Sequence, residues 1–286
     1  MAVAEARHGG DGGSLLPATG SGVPRQSAVR AALAAYEHMW LLYRRTWRGS
    51  IFGSFAQPVL FLVAMGIGLG GYVDASNNSA MGGVPYIVFL APALLVSTVM
   101  QGAAFEGTFP VLGGFRWNRR YHAMYSTPLT PDAIAFGQIG WTATRSTMTG
   151  AIFCLVIVLF GAAGSPAIVW SVPIGTLTGL AFAAPIAAYM STQRDTTAFN
   201  SIWRFGITPL FLFSGTFFPI EQLPDAIRWV AWLFPLWHGV DLARSLSLGT
   251  VWQDPIVQLA HLAILTAFAV VGVVAMFVMF RRQLAK

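Results

Sequence analysis

His238, Asp241 and Arg244 follow one another at intervals of three, which places them on one face of a helix. A His–Asp pair so arranged can orient a general base. No Ser or Cys motif in the chain marks a partner nucleophile. The one cysteine, Cys154, lies in an apolar run and reads as packing, and one thiol allows neither an internal disulfide nor a multi-cysteine metal site. The three residues therefore read as a polar face bonding to neighbouring helices or lipid headgroups, with no catalytic group and no metal.

Gly66, Gly68 and Gly71 fit G-x-G-x-x-G. A dinucleotide site needs a strand before that loop and an acid about 20 residues after it. Here an apolar helix precedes it and position 91 is Ala91. Gly66 with Gly70, and Gly175 with Gly179, instead fit small-xxx-small packing between membrane helices. A phosphate-binding Walker loop needs a lysine. The lone lysine is Lys286, so any ATP and Mg²⁺ belong to another subunit and this chain carries no cofactor.

Arg145 lies inside an apolar segment, where a charge costs about 2.5–3.5 kcal/mol to insert. It needs a partner, and Glu106 is the candidate. Phe115, Arg116, Trp117, Arg119, Arg120 and Tyr121 mix aromatics with cations in one short loop. They read either as a plain positive anchor or as a docking element whose aromatics fill a groove and whose arginines fix orientation.

The elements that must position these residues are membrane helices. The chain has 286 residues, 55% hydrophobic and only 10% charged, with mean hydropathy +0.62. A soluble domain carries roughly 25% charge. Crossing a bilayer core takes roughly 20 apolar residues. Six segments qualify, near 50–71, 85–105, 134–160, 167–190, 199–218 and 256–280. The net charge of +6 would suit nucleic acid, but the cations sit at the ends of apolar blocks, where they orient a membrane protein. With the N-terminus inside, only Arg228 and Arg244 fall outside and Arg145 lies in a span; every other basic residue is inside. Both termini are thus expected in the cytoplasm.

Residues 27–48 read as an amphipathic surface helix. Val29, Leu33, Tyr36, Trp40, Tyr43 and Trp47 step by four and three. Residues 219–255 carry Trp229, Trp232, Trp237 and Trp252 and are broken by Pro219, Pro224 and Pro235. They read as short re-entrant helices in the outer leaflet, since tryptophan prefers that interface. The Gly- and Ser-rich residues 1–26 lack an apolar core segment, so a disordered cytoplasmic tail is expected rather than a signal peptide. Asn77-Asn78-Ser79 fits a glycosylation sequon.

Two stretches carry a family resemblance. Ser214-Gly215-Thr216-Phe217-Phe218-Pro219-Ile220 through Leu223-Pro224, then Phe234 to Arg244, resemble the SG-x-FFP-x-x-x-LP and PL-x-H-x-x-D-x-x-R signature of type-2 ABC exporter permeases. Phe89-Leu90-Ala91-Pro92, Phe105-Glu106 and Thr127-Pro128-Leu129 resemble the branch that exports nodulation lipo-oligosaccharides. The resemblance covers roughly residues 35–282, and the Gly-rich tail has no counterpart in it.

It implies an all-α integral membrane domain over 27–286, with six spans. It also implies a second permease chain, as homodimer or heterodimer, and two copies of a cytoplasmic ABC ATPase. By position, 27–48 resembles the family's connecting helix, 113–125 its coupling helix and 219–250 its outer re-entrant helices. The implied cargo is amphipathic: a lipid-linked saccharide, a glycolipid or a hydrophobic drug. Such a cargo needs an apolar path with polar points, and Phe205, Phe211, Phe213, Ser214, Phe217 and Phe218 offer one.

Two rival classes are a membrane-embedded lipid-processing enzyme and an ion-coupled transporter. The first lacks converging ionisable groups in the spans. The second lacks an Asp or Glu at the centre of any span.

Overall fold

The computed structural model describes residues 27–75, 83–248 and 254–285. The expected tail 1–26, the sequon at 77–79 and Trp252 lie outside them. Among the described residues every regular element is helical.

Helix α1 (Ala28–Phe61) continues through a π-helical segment (Leu62–Leu69) into α2 (Gly70–Ala75). Phe61 and Gly70 both keep right-handed helical backbone. The expected surface helix at 27–48 and the expected span at 50–71 are therefore parts of one continuous helical run. Its packing face also differs from the one read from spacing. Ala31, Ala35 and Met39 are buried, whereas Val29 and Leu33 are exposed. Small residues explain the shift: Ala35 meets Gly137 of α5 (Pro131–Leu159) so closely that a Cβ there would lie 2.6 Å from the Ala35 Cβ. Tyr36, Trp40 and Tyr43, also on the expected face, pack around Trp141 of α5.

Helix α3 (Tyr86–Arg116) is the central element, buried over most of its length despite Pro92 and Pro110. Its start is capped by Asp74, whose Oδ1 accepts from Tyr86 N at 2.8 Å. Its 31 residues span about 46 Å, longer than a bilayer core of about 30 Å. Helix α6 (Ser171–Thr192) lies along it after a 3₁₀ turn (Pro166–Trp170). Gly175 and Gly179 supply the close approach: a Cβ on Gly179 would sit 2.8 Å from the Ala103 Cβ. Helix α11 (Pro255–Leu284) packs on α6 and is started by Asp254, which accepts from Ile256 N.

Among the described residues, four helical stretches are long and apolar enough to cross a membrane: Tyr86–Arg116, Pro131–Leu159, Pro166–Thr192 and Pro255–Leu284. The segment expected as a fifth span at 199–218 is shorter and irregular. It comprises α7 (Thr197–Ser201), a π-helical stretch (Ile202–Ile207) and α8 (Thr208–Phe213). Pro209 has no N–H to donate, and the wider turn just before it absorbs the broken ladder. Helix stops at Phe213 because Gly215 turns the chain with φ +74. A 3₁₀ turn (Ile220–Gln222), α9 (Asp225–Leu233) and α10 (Pro235–Leu248) follow. The short helix α4 (Arg120–Tyr125) joins α3 to α5 at the opposite end of the bundle.

Candidate functional site

At the α4 end the loop 115–121 sorts its side chains into two groups. Phe115 is 2% exposed and Tyr121 is fully buried. Both pack on Phe280 of α11. Tyr121 Oη donates to Gln138 Oε1 at 2.8 Å. Burial raises the Tyr121 phenol above its ordinary range, which keeps that donor protonated. Neither ring can fill a groove in a partner while so placed.

Arg116 is also committed inward. Its Nε donates to the Gln193 carbonyl at 2.7 Å and its Nη2 to that of Thr192 at 3.3 Å, closing the end of α6. Arg120 donates to Tyr121 Oη at 3.0 Å. The outward residues are Trp117, 53% exposed against Phe109, and Arg119. Arg119 has left-handed backbone, φ 47, and turns the chain sharply from α3 into α4. Beside them a cleft of about 570 Å³ opens between α1 and α4, lined by His38, Leu42, Asn118, Arg120, Met124 and Leu129 among others.

Deeper in the bundle, Arg145 Nη1 lies 3.3 Å from Glu106 Oε1. The Trp141 side chain also hydrogen-bonds to Glu106. The Arg145 guanidinium sits 5.3 Å over the Tyr43 ring. Tyr36 Oη and Thr144 Oγ1 are 3.1 Å apart. One polar and aromatic cluster thus joins α1, α3 and α5. Glu106 and Arg145 are visible in the sequence as lone charges in apolar runs. Trp141 and Tyr43 as their partners are not, because nothing in either segment says that α1 lies on α5.

At the other end, His238 and Asp241 both meet His261, while Arg244 bonds elsewhere. Arg244 is buried and holds the turn after α8. Its Nη2 donates to the Gly215 carbonyl at 2.9 Å, its Nε to the Phe89 carbonyl at 3.3 Å, and its guanidinium lies 3.8 Å over the Phe89 ring. Ser97 Oγ and Thr216 Oγ1 are 2.9 Å apart, and Tyr86 Oη donates to the Phe217 carbonyl at 3.1 Å. His238 Nε2 faces the Trp232 carbonyl at 2.9 Å, and its Nδ1 faces His261 Nδ1 at 2.7 Å. Burial, then His261, hold His238 below the ordinary imidazole range. Asp241 Oδ2 lies 3.3 Å from His261 Nε2. His261 is not among the residues singled out by spacing; its signal is an ionisable residue nearly two turns inside the last apolar helix.

The six residues read as one cargo path do not share a surface. Phe211 and Phe217 pack on each other and on Phe61. Ser214 is buried, and Phe218 packs on the cluster of Ile220, Leu223 and Ala231. Only Phe205, 81% exposed, and Phe213 face outward. The helix ends at Phe213, so the 3.6-residue spacing that would align the later residues stops there. A second aromatic strip emerges instead on α3, α7 and the π-helical stretch after it, where Phe105, Phe109, Phe199 and Trp203 contact one another in sequence.

Among the described residues, membrane-length apolar helices, a short helix at one end and a clamped turn at the other define an integral membrane helical bundle. The comparisons agree. The chain belongs to the ABC-2 type transporter family, which matches residues 31–248. It is 31% identical to nodulation protein J of Rhizobium leguminosarum bv. viciae over 255 residues, covering 89% of this chain and 95% of that protein. It is 29% identical to nodulation protein J of Rhizobium meliloti (strain 1021), covering 88% and 93%. A more distant nodulation protein J, from Azorhizobium caulinodans, is 22% identical over 74% of this chain and 82% of its own length. The chain is a permease subunit of an ABC exporter.

Proposed function

We propose that this permease exports an amphipathic cargo and is driven by a separate cytoplasmic ATPase. The observation that carries the reading is the cleft between α1 and α4 with Trp117 and Arg119 exposed beside it. A partner helix with an apolar face and an acidic end fits such a cleft. Through Tyr121 the short helix α4 rests on Phe115 of α3, Phe280 of α11 and Gln138 of α5, so a push there is passed to all three.

In this reading residues 27–286 form the transmembrane domain and residues 1–26 a cytoplasmic tail. The spans number six, the two irregular runs at 50–75 and 197–213 included, and α9 and α10 are re-entrant in the outer leaflet. Both termini face the cytoplasm across the cell membrane. ATP and Mg²⁺ stay on two copies of the ATPase, a second permease chain completes the complex, and nucleic acid has no part in it. The relatives' name ties them to nodulation, and a lipo-oligosaccharide is the first cargo to test. Phe205 and Phe213 remain as candidate cargo contacts.

The test is purification of the complex from its native cells in mild detergent, with identification of co-purifying chains. An ATPase carrying a Walker motif should accompany the wild type and be depleted by Trp117→Ala with Arg119→Ala. Absence of any ATPase in preparations that keep other membrane complexes intact would remove the motor. A second permease chain would decide between homodimer and heterodimer.

A further inference from the structure

Two imidazoles join α10 to α11. A carbonyl oxygen only accepts, so His238 Nε2 carries the proton in its 2.9 Å contact with Trp232. His238 Nδ1 is then bare and accepts from His261 Nδ1 at 2.7 Å. A neutral His261 with its proton on Nδ1 presents a bare Nε2. That nitrogen lies 3.3 Å from Asp241 Oδ2, also an acceptor. Two lone pairs facing each other repel, and both rings are buried from water that could separate them. One more proton, on Nε2 or on the carboxyl, turns the repulsion into an attraction.

We propose that His238, His261 and Asp241 form a single-proton binding site that clamps α10 against α11 when occupied and loosens it when empty.

The surroundings fit that role. Trp237 packs its ring 4.8 Å from His238 and 5.0 Å from His261, shielding both. Arg244, the nearest fixed cation along α10, is turned to the carbonyls of Gly215 and Phe89. Asp241 also attracts Arg244, ahead of Glu221 and Tyr86, and neither of the latter two acts on His238. On α9, Arg228 is held by Asp225 and the carbonyls of Glu221 and Leu223. Helix α6 meets α10 here through neutral Thr178 at Gly239. Asp241 is the partly exposed member, and a cavity of about 20 Å³, room for one water, lies beside it and Glu221. That gives the proton a way in. The side it enters from is the outer face in the proposed topology, but the site itself does not depend on that reading.

Between the ordinary imidazole range and the release of the clamp's proton, the folded chain holds one proton more than the separated groups would, so stability falls as pH rises through that release; below that range two separated imidazoles hold two protons against the clamp's one, and stability falls again. The test uses the full chain in detergent between about pH 5 and 8. Thermal unfolding and amide exchange over α10, corrected for the intrinsic pH dependence, are measured for the wild type, His261→Gln and Asp241→Asn. In the wild type, α10 exchange should rise about tenfold across a one-proton step, the scale of one charge-assisted hydrogen bond. The step should vanish in His261→Gln and move to lower pH in Asp241→Asn. Histidine-selective ¹³C labelling of the wild type gives a second reading that needs no variant: His238 and His261 should titrate together as one proton. A flat wild-type profile, a step that survives His261→Gln, or two independent histidine titrations would each overturn the proposal.

Discussion

Arg244 donates to the carbonyl of Gly215 across 29 residues of sequence, at 2.9 Å. Gly215 turns the chain with φ +74, just after α8 ends, and its carbonyl accepts from α10. The guanidinium replaces the hydrogen bond that the ended helix cannot supply. The stretch from the SG pair to the final Arg of the two motifs is therefore a mechanical unit, a turn and its clamp.

Arg244→Ala should destabilise the chain by about 2–5 kcal/mol, because buried carbonyls lose a charged donor. Arg244→Lys should recover only part of this, since an ammonium cannot fork between two carbonyls while stacking on Phe89. Thermal unfolding of the purified variants checks both. Equal melting of the Lys variant and the wild type would reduce Arg244 to a point charge.

Glu106 and Arg145 face each other at 3.3 Å, one on α3 and one on α5. Reversing either alone puts like charges together in a poorly solvated place, with an expected loss of about 3–5 kcal/mol. The double exchange Glu106→Arg with Arg145→Glu should restore at least half of the lost expression and melting temperature. If the double variant is as poor as the sum of the singles, the pair does not interact directly.

The sequence carried the charges and the long apolar blocks, and with them the central bundle: an unbroken apolar run can only be a buried or membrane helix, and the glycine pair at 175 and 179 marks close packing. It did not carry the partner of each surface. Phe115 and Tyr121 look like docking aromatics by type, yet α11 supplies Phe280 to bury them. Arg116 looks like a free cation until the unsatisfied end of α6 is seen beside it. His261 sits 23 residues from His238 on another helix, and no local spacing announces that contact. Periodicity reports a face; it does not report what lies on it.

The loop at the α4 end separates folding from docking. Arg116→Ala should cost about 1–3 kcal/mol by freeing the last carbonyls of α6. Arg119→Gly should leave stability unchanged or raise it by about 1 kcal/mol, since glycine adopts φ 47 without strain. The same Arg119 variant should weaken recovery of the ATPase in the pull-down. Thermal unfolding and co-purification on matched samples separate the two effects. A strongly destabilised Arg119→Gly would place the side chain in the fold instead of at the interface.

Gly239 lets α10 cross α6 without a side chain between them. A Cβ at that position would collide with the Thr178 hydroxyl and come within 3.1 Å of Thr178 Cγ2. Gly239→Ala should therefore destabilise by about 1–3 kcal/mol, an overpacking cost. Thr178→Ala removes the two Thr178 atoms, leaving Val96 Cγ1 at 3.1 Å as the remaining tight contact, and opens a small gap of its own. The double variant should be more stable than Gly239→Ala alone, because each change fills or empties the space of the other. A melting series of wild type, both singles and the double measures that coupling. Additive losses would mean that α10 shifts away from α6 as a rigid piece, and the contact at Gly239 would then not fix its position.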